Sequence, residues 1–473
     1  MTENNKNSYK DQIPKWQSAA DGLAIIATCD DAPCLTVMPL SKAIISLAGP
    51  AMTSMLLMMI FNLVDIWWVG KLGPEHLAGV SAAAFIFWAL QSVGTLVSTG
   101  VTAMVARYVG EKDIPAAKQT ASQGILLAVG LAITFSLGGI VFADQTFKMM
   151  GLEQTVWQAA MDYQRYINYG LVTIFLTYAI DATFRGIGDT KTPLKIYAFV
   201  LTLNALLDPI LIFGIGPFPK LYAGGAALAT IIAHAVAFIM GLIILKRKYN
   251  FPIIPQKIIG DLLYRISKIG APIAANGVMF SLSYMLLTRL VTIYGAESLA
   301  ALGLGHRIEG IAYFACVGFS AAAQTLVGQN LGAQKPQRAE KAVNYSLLYI
   351  SGLLLVVSAI YFFFAEPIIS FFSNDQAVIV EGVKYLKIIA IFELFLGLEI
   401  VLEGAFGGSG YSLPPMLVIV PITWLRIPLG ILLAQVCGLG SIGIWWAISL
   451  TTFLKGSILF FWFKHGSWKK HKI

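Results

Sequence analysis

Two aspartates and an asparagine in otherwise apolar segments are the residues of this chain best suited to chemistry. Asn204 and Asp208 are four residues apart, so a helix places both side chains on one face. Pro209 lacks an N–H group and leaves the carbonyl of Ala205 without its helical partner. Together with Asp65, these oxygens could bind a hard cation or take up and release a proton. The alternative is a proline kink in which Asp208 caps a broken helix.

Three ionisable residues of the second half allow two interpretations. Glu399 and Glu403 are four residues apart, and Arg426 lies in the next apolar segment. A pair between a glutamate and Arg426 would neutralise buried charge without a role in binding, whereas a place on a cavity would make all three candidates for substrate contact. Met55 and Asn62 are further cavity candidates. The flexible thioether of Met55 suits a pocket that accepts varied ligands. Ordinary packing is the alternative for the methionine.

Ionisable side chains are costly within a membrane unless they face a cavity or a partner. Glu393 is expected to pair with Lys384 or Lys387, and His234 is either a proton relay or a packing histidine. The ionisable residues that we place inside apolar segments are Asp65, Asp181, Asp208, His234, Arg289, Glu393, Glu399, Glu403 and Arg426.

Motifs of enzyme chemistry are missing from the sequence. It contains no GxxxxGK[ST] phosphate loop, no HExxH and no Cys/His spacing for a metal. We therefore expect neither an enzyme nor a cofactor, and the energy for any transport would come from an ion gradient.

The composition predicts a membrane protein. Of 473 residues, 57% are hydrophobic and 12% are charged, whereas soluble proteins carry about 25% charged residues. A spanning helix needs roughly 20 apolar residues. The sequence thus predicts an all-α integral membrane protein with twelve transmembrane helices. The candidate segments are 44–69, 78–107, 121–143, 163–186, 194–215, 222–245, 268–293, 300–329, 342–365, 384–407, 413–436 and 441–463.

These segments form two copies of one unit, separated by a constant offset along the chain. The stretch 73–78 (GPEHLA) returns as 295–300 (GAESLA), and 184–188 (FRGIG) returns as 406–410 (FGGSG). Two pseudo-symmetric six-helix bundles follow, related by an axis along the membrane normal. Duplicated membrane halves commonly face each other across a central site and rock about it.

The acids are distributed unequally between the two copies. Asp181 and Glu403 occupy equivalent places, but Asp65 corresponds to Leu287 and Asp208 to Gly430. This asymmetry predicts one ion site, in the N-terminal half, rather than two equivalent sites.

Positive charge marks one set of loops and the C-terminal tail, which predicts that both termini are cytoplasmic. The net charge of +8 thus indicates orientation in a plasma membrane, the inner membrane of a bacterium, rather than a nucleic-acid partner. We expect a monomer among membrane lipids. The expected division is an N-terminal tail at 1–43, lobes at 44–246 and 268–465, a linker at 247–267 and a basic tail at 466–473.

Several short motifs together resemble the multidrug and toxic compound extrusion (MATE) family over about residues 44–465. The matching stretches are Ala48-Gly49-Pro50, Val64-Asp65 with Val69-Gly70, Phe184-Arg185-Gly186-Ile187-Gly188-Asp189-Thr190, Asn204-x-x-x-Asp208-Pro209, Gln329-Asn330-Leu331-Gly332-Ala333 and Trp424-Leu425-Arg426-Ile427-Pro428.

The resemblance implies two six-helix bundles in a V and export of organic compounds coupled to inward H⁺ or Na⁺. It implies a cation site on Asp65, Asn204 and Asp208, which would ligate Na⁺ in a sodium-coupled member, with Asp181 beside it. The family more often has asparagine at position 181. Some members use a glutamate in the seventh span, where this chain has Phe280.

We therefore expect a cation-coupled antiporter that exports organic, lipophilic cationic compounds by alternating access. A flippase of lipid-linked saccharides is the nearest alternative, and it would need basic residues such as Arg289 and Arg426 on the cavity. A channel is a second alternative, for which the sequence shows no repeated polar stripe.

Overall fold

A computed structural model describes residues 35–252 and 257–471, which are almost entirely helical. Most of the predicted N-terminal tail (1–34), four residues of the predicted linker (253–256) and the last two residues lie outside the described part. The long helices are α1 (Leu40–Gly70), α2 (Pro74–Gly110), α3 (Ile114–Met149), α4 (Gln154–Ile187), α5 (Lys191–Phe213), α6 (Ala223–Tyr249), α7 (Gly260–Thr292), α8 (Ala296–Gly332), α9 (Pro336–Phe363), α10 (Gln376–Ser409), α11 (Leu413–Ile431) and α12 (Ser441–His465). A short helix, Ala365–Phe372, precedes α10, and a π-helical turn, Leu432–Val436, ends α11.

Eleven of the described helices are long and apolar enough to cross a membrane, and α10 is not among them. Helix α10 carries six charged residues, which lower its apolar character despite its length. The all-α membrane architecture is confirmed, while the count of twelve spans stays a prediction.

The duplication is visible in the backbone. We call helices α1–α6 the N-lobe and helices α7–α12 the C-lobe, following the two copies of the repeat. Left-handed backbone conformations recur at equivalent positions of the two copies, at Gly188 and Gly410, where they end α4 and α10. The same offset joins two residues that are not glycine, Lys112 with φ 62° and Gln334 with φ 58°. The two lobes therefore repeat the geometry of their turns as well as the order of their helices.

Helix α5 is continuous from Lys191 to Phe213 although Pro209 lies inside it. The alternative of a broken helix capped by Asp208 is therefore wrong. The proline removes one backbone N–H from the helix ladder, and the Asp208 side chain remains available for contacts with other helices.

Small residues allow the lobes to approach closely. A Cβ on Gly270 of α7 would lie 1.9 Å from the carbonyl oxygen of Leu96 in α2, and one on Gly110 of α2 would lie 2.1 Å from that of Gln329 in α8. A side chain larger than hydrogen at either glycine would thus separate the helices.

Hydrogen bonds join the lobes near the end of α8. Gln324 donates from Nε2 to the carbonyl of Thr99 at 3.2 Å, and Gln329 donates to that of Gly186 at 2.9 Å. These bonds lie on the side where α2, α4 and α8 end. We call it the basic side, because it carries the set of loops that is rich in positive charge. The structure is therefore a state in which the lobes are in contact on the basic side.

Candidate functional site

Helices α1, α5 and α6 bring four polar side chains together inside the N-lobe. Asp65 comes from α1, Asn204 and Asp208 from α5, and Thr230 from α6. None is more than 8% exposed. Both α5 side chains lie on one helix face, as their four-residue spacing predicts, and this face packs against α1.

The hydrogen bonds of this cluster leave three oxygens without a partner. Thr230 donates from Oγ1 to Asp65 Oδ2 at 3.0 Å, and Asn204 donates from Nδ2 to Asp208 Oδ1 at 3.4 Å. Asp65 Oδ1, Asn204 Oδ1 and Asp208 Oδ2 are buried and accept no hydrogen bond. Since an unsatisfied buried polar atom costs about 1–3 kcal/mol, these three oxygens are suited to bind a proton or a cation.

The donor set fits either a proton or a small hard cation. The carboxyl groups of Asp65 and Asp208 are close enough to share a hydrogen bond when one of them is protonated. Two carboxylates and an amide oxygen are also suitable ligands for Na⁺. Among residues 35–252 and 257–471, no set of three or more His, Cys, Asp or Glu side chains could hold a metal ion.

The surroundings of the cluster do not neutralise its charge. No ion pair to Asp65 or Asp208 exists within the described part of the chain. Tyr163 of α4 lies near both acids and was not identified from the sequence. His234 lies one helical turn beyond Thr230, and its ring packs 6.4 Å from that of Phe61.

Asp181 does not remain an unpaired acid. Its Oδ2 lies 3.1 Å from Nη2 of Arg185, four residues later in α4. Arg185 also donates to the hydroxyl of Ser98 in α2. The structure therefore brings Asp181 to an arginine at the lobe interface rather than to Asp65 and Asp208, because the helical spacing favours the local pair.

A second group of buried charges lies in the C-lobe, and its pairing differs from the prediction. Glu399 Oε1 lies 2.7 Å from Nζ of Lys455, and the two side chains are only 9% and 3% exposed. The predicted Glu–Arg pair is therefore wrong. Lys455 belongs to α12, and the sequence analysis overlooked it although it interrupts the apolar run 441–463.

Arg426 and Glu403 have neutral partners instead. Arg426 donates from Nε to the hydroxyl of Thr451 at 3.0 Å, and its guanidinium lies 5.5 Å from the ring centre of Tyr284. Glu403 Oε1 accepts a hydrogen bond of 2.6 Å from Asn276 Nδ2. These contacts link α7, α10, α11 and α12 in one polar region.

Two acids complete this region. Glu309 of α8, which the sequence analysis missed, lies 3.4 Å from Nδ1 of His306 and accepts from the hydroxyl of Tyr385 at 3.3 Å. Glu393 is 1% exposed, and its Oε1 has no hydrogen-bond partner. Its carboxyl group lies near that of Glu309. Its predicted pairing with a lysine is not observed: Lys384 pairs with Glu381 at 2.7 Å.

The remaining cavity candidates lie on α1. Met55 is half-buried, whereas Asn62 is exposed and donates to the carbonyl of Met58 in its own helix at 3.0 Å. Their contact with a substrate stays a prediction.

Comparisons with known proteins agree with this architecture. The family model described as MatE matches residues 50–210 and 272–432, two segments with the same offset as the repeated motifs. The chain is 28% identical to the probable multidrug resistance protein NorM of Thermotoga maritima, covering 92% of this chain and 95% of that protein. It is 27% identical to a FAD transporter of Shewanella oneidensis, covering 88% and 93%. A crystal structure of MATE in the straight conformation superposes with a TM-score of 0.85 at 23% identity, covering 92% of this chain and 98% of that one.

Proposed function

Since the chain belongs to the MatE family, whose members are membrane transporters and not enzymes, we propose that it is an antiporter that couples inward movement of H⁺ or Na⁺ to export of organic, lipophilic cations. The observation that carries the proposal is the group of unpartnered oxygens on Asp65, Asn204 and Asp208. A buried acid cluster without a counter-ion is best explained by a ligand that comes and goes.

Coupling requires that the ion changes the packing of the helices. Asp65 lies on α1 and Asp208 on α5, so a proton or Na⁺ between them joins two helices that otherwise present like charges to each other. Helix α1 also packs on α8 of the other lobe, where Gly318 adjoins the backbone of Met52. Occupancy of the N-lobe site therefore acts on a helix that touches both lobes.

Alternating access would open the basic side. The interlobe bonds of Gln324 and Gln329 use single side chains that donate to backbone carbonyls. Such bonds can be exchanged for water when the lobes separate, so each contributes only about 0.5–1.5 kcal/mol. This modest cost supports a rocking motion between two states.

An excess of acid in the C-lobe supports a cationic substrate. Four acidic side chains, those of Glu309, Glu393, Glu399 and Glu403, share this region with two basic side chains, Arg426 and Lys455. A lipophilic cation would partly neutralise that excess, and the half-buried methionines of α1 would supply adaptable apolar contacts.

Efflux in inverted membrane vesicles tests the proposal. Asp65→Asn with Asp208→Asn should abolish ion-coupled uptake of an organic cation into the vesicles, because the N-lobe cluster then keeps no carboxyl group that could bind a proton or Na⁺. Asp144→Asn is the matched control, since this exposed acid of α3 pairs only with Lys148. Unchanged coupled transport in the double variant would refute the proposal, and the effects of a protonophore and a Na⁺ ionophore would identify the ion.

An anionic substrate is the second candidate. The relative from Shewanella oneidensis is a FAD transporter, and the buried cations Arg426 and Lys455 could contact a pyrophosphate. Transport of FAD but not of an organic cation would favour this candidate. The flippase alternative has less support, since Arg289 lies exposed in the last turn of α7 and Arg426 is engaged by Thr451.

The setting of the transporter follows from the same features. We propose a bacterial inner membrane, both termini on the cytoplasmic side, a monomeric protein surrounded by lipid, and no cofactor besides the coupling ion. The division into tail, lobes and linker given above is part of this proposal.

A further inference from the structure

A cavity of about 730 Å³ lies on the basic side, between the beginnings of α1 and α9. Three cations line it, Lys335, Arg338 and Lys341, together with Tyr345 and Tyr349. No acid lines this cavity within the described part of the chain. It lies outside the two polar groups described above.

None of the three cations forms an ion pair with an acid of residues 35–252 or 257–471. Lys335 donates from Nζ to the carbonyl of Thr36 at 3.0 Å, and Arg338 donates to the carbonyls of Leu35 at 3.1 Å and of Met38. The carbonyl oxygens accept hydrogen bonds from these N–H groups but carry no net negative charge. Arg338 Nε is buried without a partner, and Lys341 forms no ion pair with any described residue.

The nearest acid along the chain is already engaged. Glu340 pairs with Lys469 of the C-terminal segment at 2.8 Å, so it does not neutralise the cavity. The site therefore combines donors in excess, positive charge and space for a group of several atoms. Phosphate, whose several anionic oxygens accept hydrogen bonds, is the group that such a set of arginine and lysine side chains recognises.

The tyrosines indicate where that phosphate comes from. The rings of Tyr345 and Tyr349 stack 6.5 Å apart near the start of α9, and Tyr345 is 44% exposed. Tyrosine is enriched where a membrane protein meets the headgroup layer. Leu348, between them in sequence, is 63% exposed and continues the surface towards the apolar part of α9. A ligand bound here can thus place a phosphate on the cations and its acyl chains along the helix.

The duplicated unit shows that the fold does not require these charges. The positions equivalent to Lys335, Arg338 and Lys341 in the N-lobe are Asp113, Ala116 and Gln119. The position equivalent to Tyr345 is Gln123, which donates to the carbonyl of Lys257 at 2.6 Å and accepts from the N–H of Ile259 at 3.3 Å. In the N-lobe, Gln123 thus forms hydrogen bonds with the segment before α7. At the equivalent place, the C-lobe has a basic cavity beside the segment before α1.

We propose that this cavity binds the phosphate of an anionic phospholipid headgroup. Basic pockets beside membrane helices attract such lipids, with an effect of about fivefold in affinity for each cation near the surface. A lipid bound here holds the start of α1 against α9 across the lobe boundary.

The test uses the full chain purified in a neutral detergent and follows its thermal unfolding. Added phosphatidylglycerol should raise the unfolding midpoint, and equimolar phosphatidylcholine should not. The variant K335Q/R338Q/K341Q should need about a hundredfold more phosphatidylglycerol for the same rise. The control K112Q/K118Q, on the equivalent turn of the N-lobe, should respond as the unchanged protein does.

A milder variant guards against misfolding, because Arg338 also holds the segment that precedes α1. K341E alters an exposed side chain without a described partner and should still weaken the response to phosphatidylglycerol several-fold. Equal responses of K341E, the triple variant and the unchanged protein would overturn the proposal. A full response to inorganic phosphate alone would also overturn it, since the site would then serve free phosphate rather than a lipid.

Discussion

The buried pair of Glu399 and Lys455 gives the sharpest test of how the C-lobe is held together. Its two atoms are 2.7 Å apart, and the side chains are 9% and 3% exposed. Removing one partner leaves the other charge buried without a counter-ion, at a cost of about 3–5 kcal/mol. In Lys455→Met the remaining carboxylate would lie beside Glu403, and in Glu399→Leu the remaining ammonium would lie near Arg426. Both single variants should therefore lose stability.

The double variant should recover much of that loss. With both charges gone, apolar side chains of similar size fill the space, and such replacements are often neutral or stabilising. We expect a coupling energy of about 2–3 kcal/mol between the two positions. The measurement is the free energy of unfolding of the four proteins in mixed micelles, obtained by denaturant titration at one pH.

Asp144 and Lys148 provide the matched control. They approach to 2.8 Å, almost the same distance, but their side chains are 46% and 67% exposed. Water screens this pair, so its coupling energy should be about 0.3–0.5 kcal/mol. If the two cycles gave equal coupling, or if the Glu399 and Lys455 effects added within about 0.5 kcal/mol, burial would not be the source of the stabilisation and the reasoning would be refuted.

The main features of the fold and of the N-lobe site could be predicted from the sequence, because both depend on spacing along the chain. The constant offset between the repeated motifs reveals the duplication without any knowledge of the structure. The spacing of Asn204 and Asp208 fixes one helix face. The approach of Asp65 could not be worked out from spacing, since it depends on how α1 and α5 pack. The family resemblance supplied that contact.

The pairing of charges between helices was the weaker part of the prediction. Lys455 and Glu309 could have been found as interruptions of apolar runs, but no sequence pattern states which acid faces which base. The Asp181–Arg185 pair differs, because its four-residue spacing within α4 was a usable local signal. Contacts within one helix can thus be predicted from residue spacing, whereas contacts between helices cannot.

The lobes have diverged in what they bury while keeping the same turns. The N-lobe holds an acid cluster without a counter-ion, whereas the C-lobe buries acids and bases together. A duplicated unit with identical charge in both halves would bind its ligand equally in both. The unequal charge supports the proposal that one lobe binds the ion and the other contacts the substrate.

Two further predictions concern the lobe interface and a loop at the basic side. Gly270→Ala should lower the free energy of unfolding by about 1–3 kcal/mol, because its Cβ would lie 1.9 Å from the carbonyl oxygen of Leu96. The control Gly303→Ala should not lower it, since the space around that Cβ is open. Equal effects of the two variants in denaturant titration would contradict the proposed close contact. Asp189 lies between α4 and α5. Burial alone would raise the pKa of Asp189, but hydrogen bonds, the strongest from Thr192, hold that pKa below its ordinary value. Because the folded-state pKa is the lower one, Asp189 stabilises the fold above about pH 4, the ordinary value, and this stabilisation is lost as the pH falls through the folded-state pKa. Unfolding curves between pH 6 and pH 2.5 should therefore show a shallower acid loss in Asp189→Asn than in the unchanged protein, and parallel curves would show that these hydrogen bonds do not favour the carboxylate.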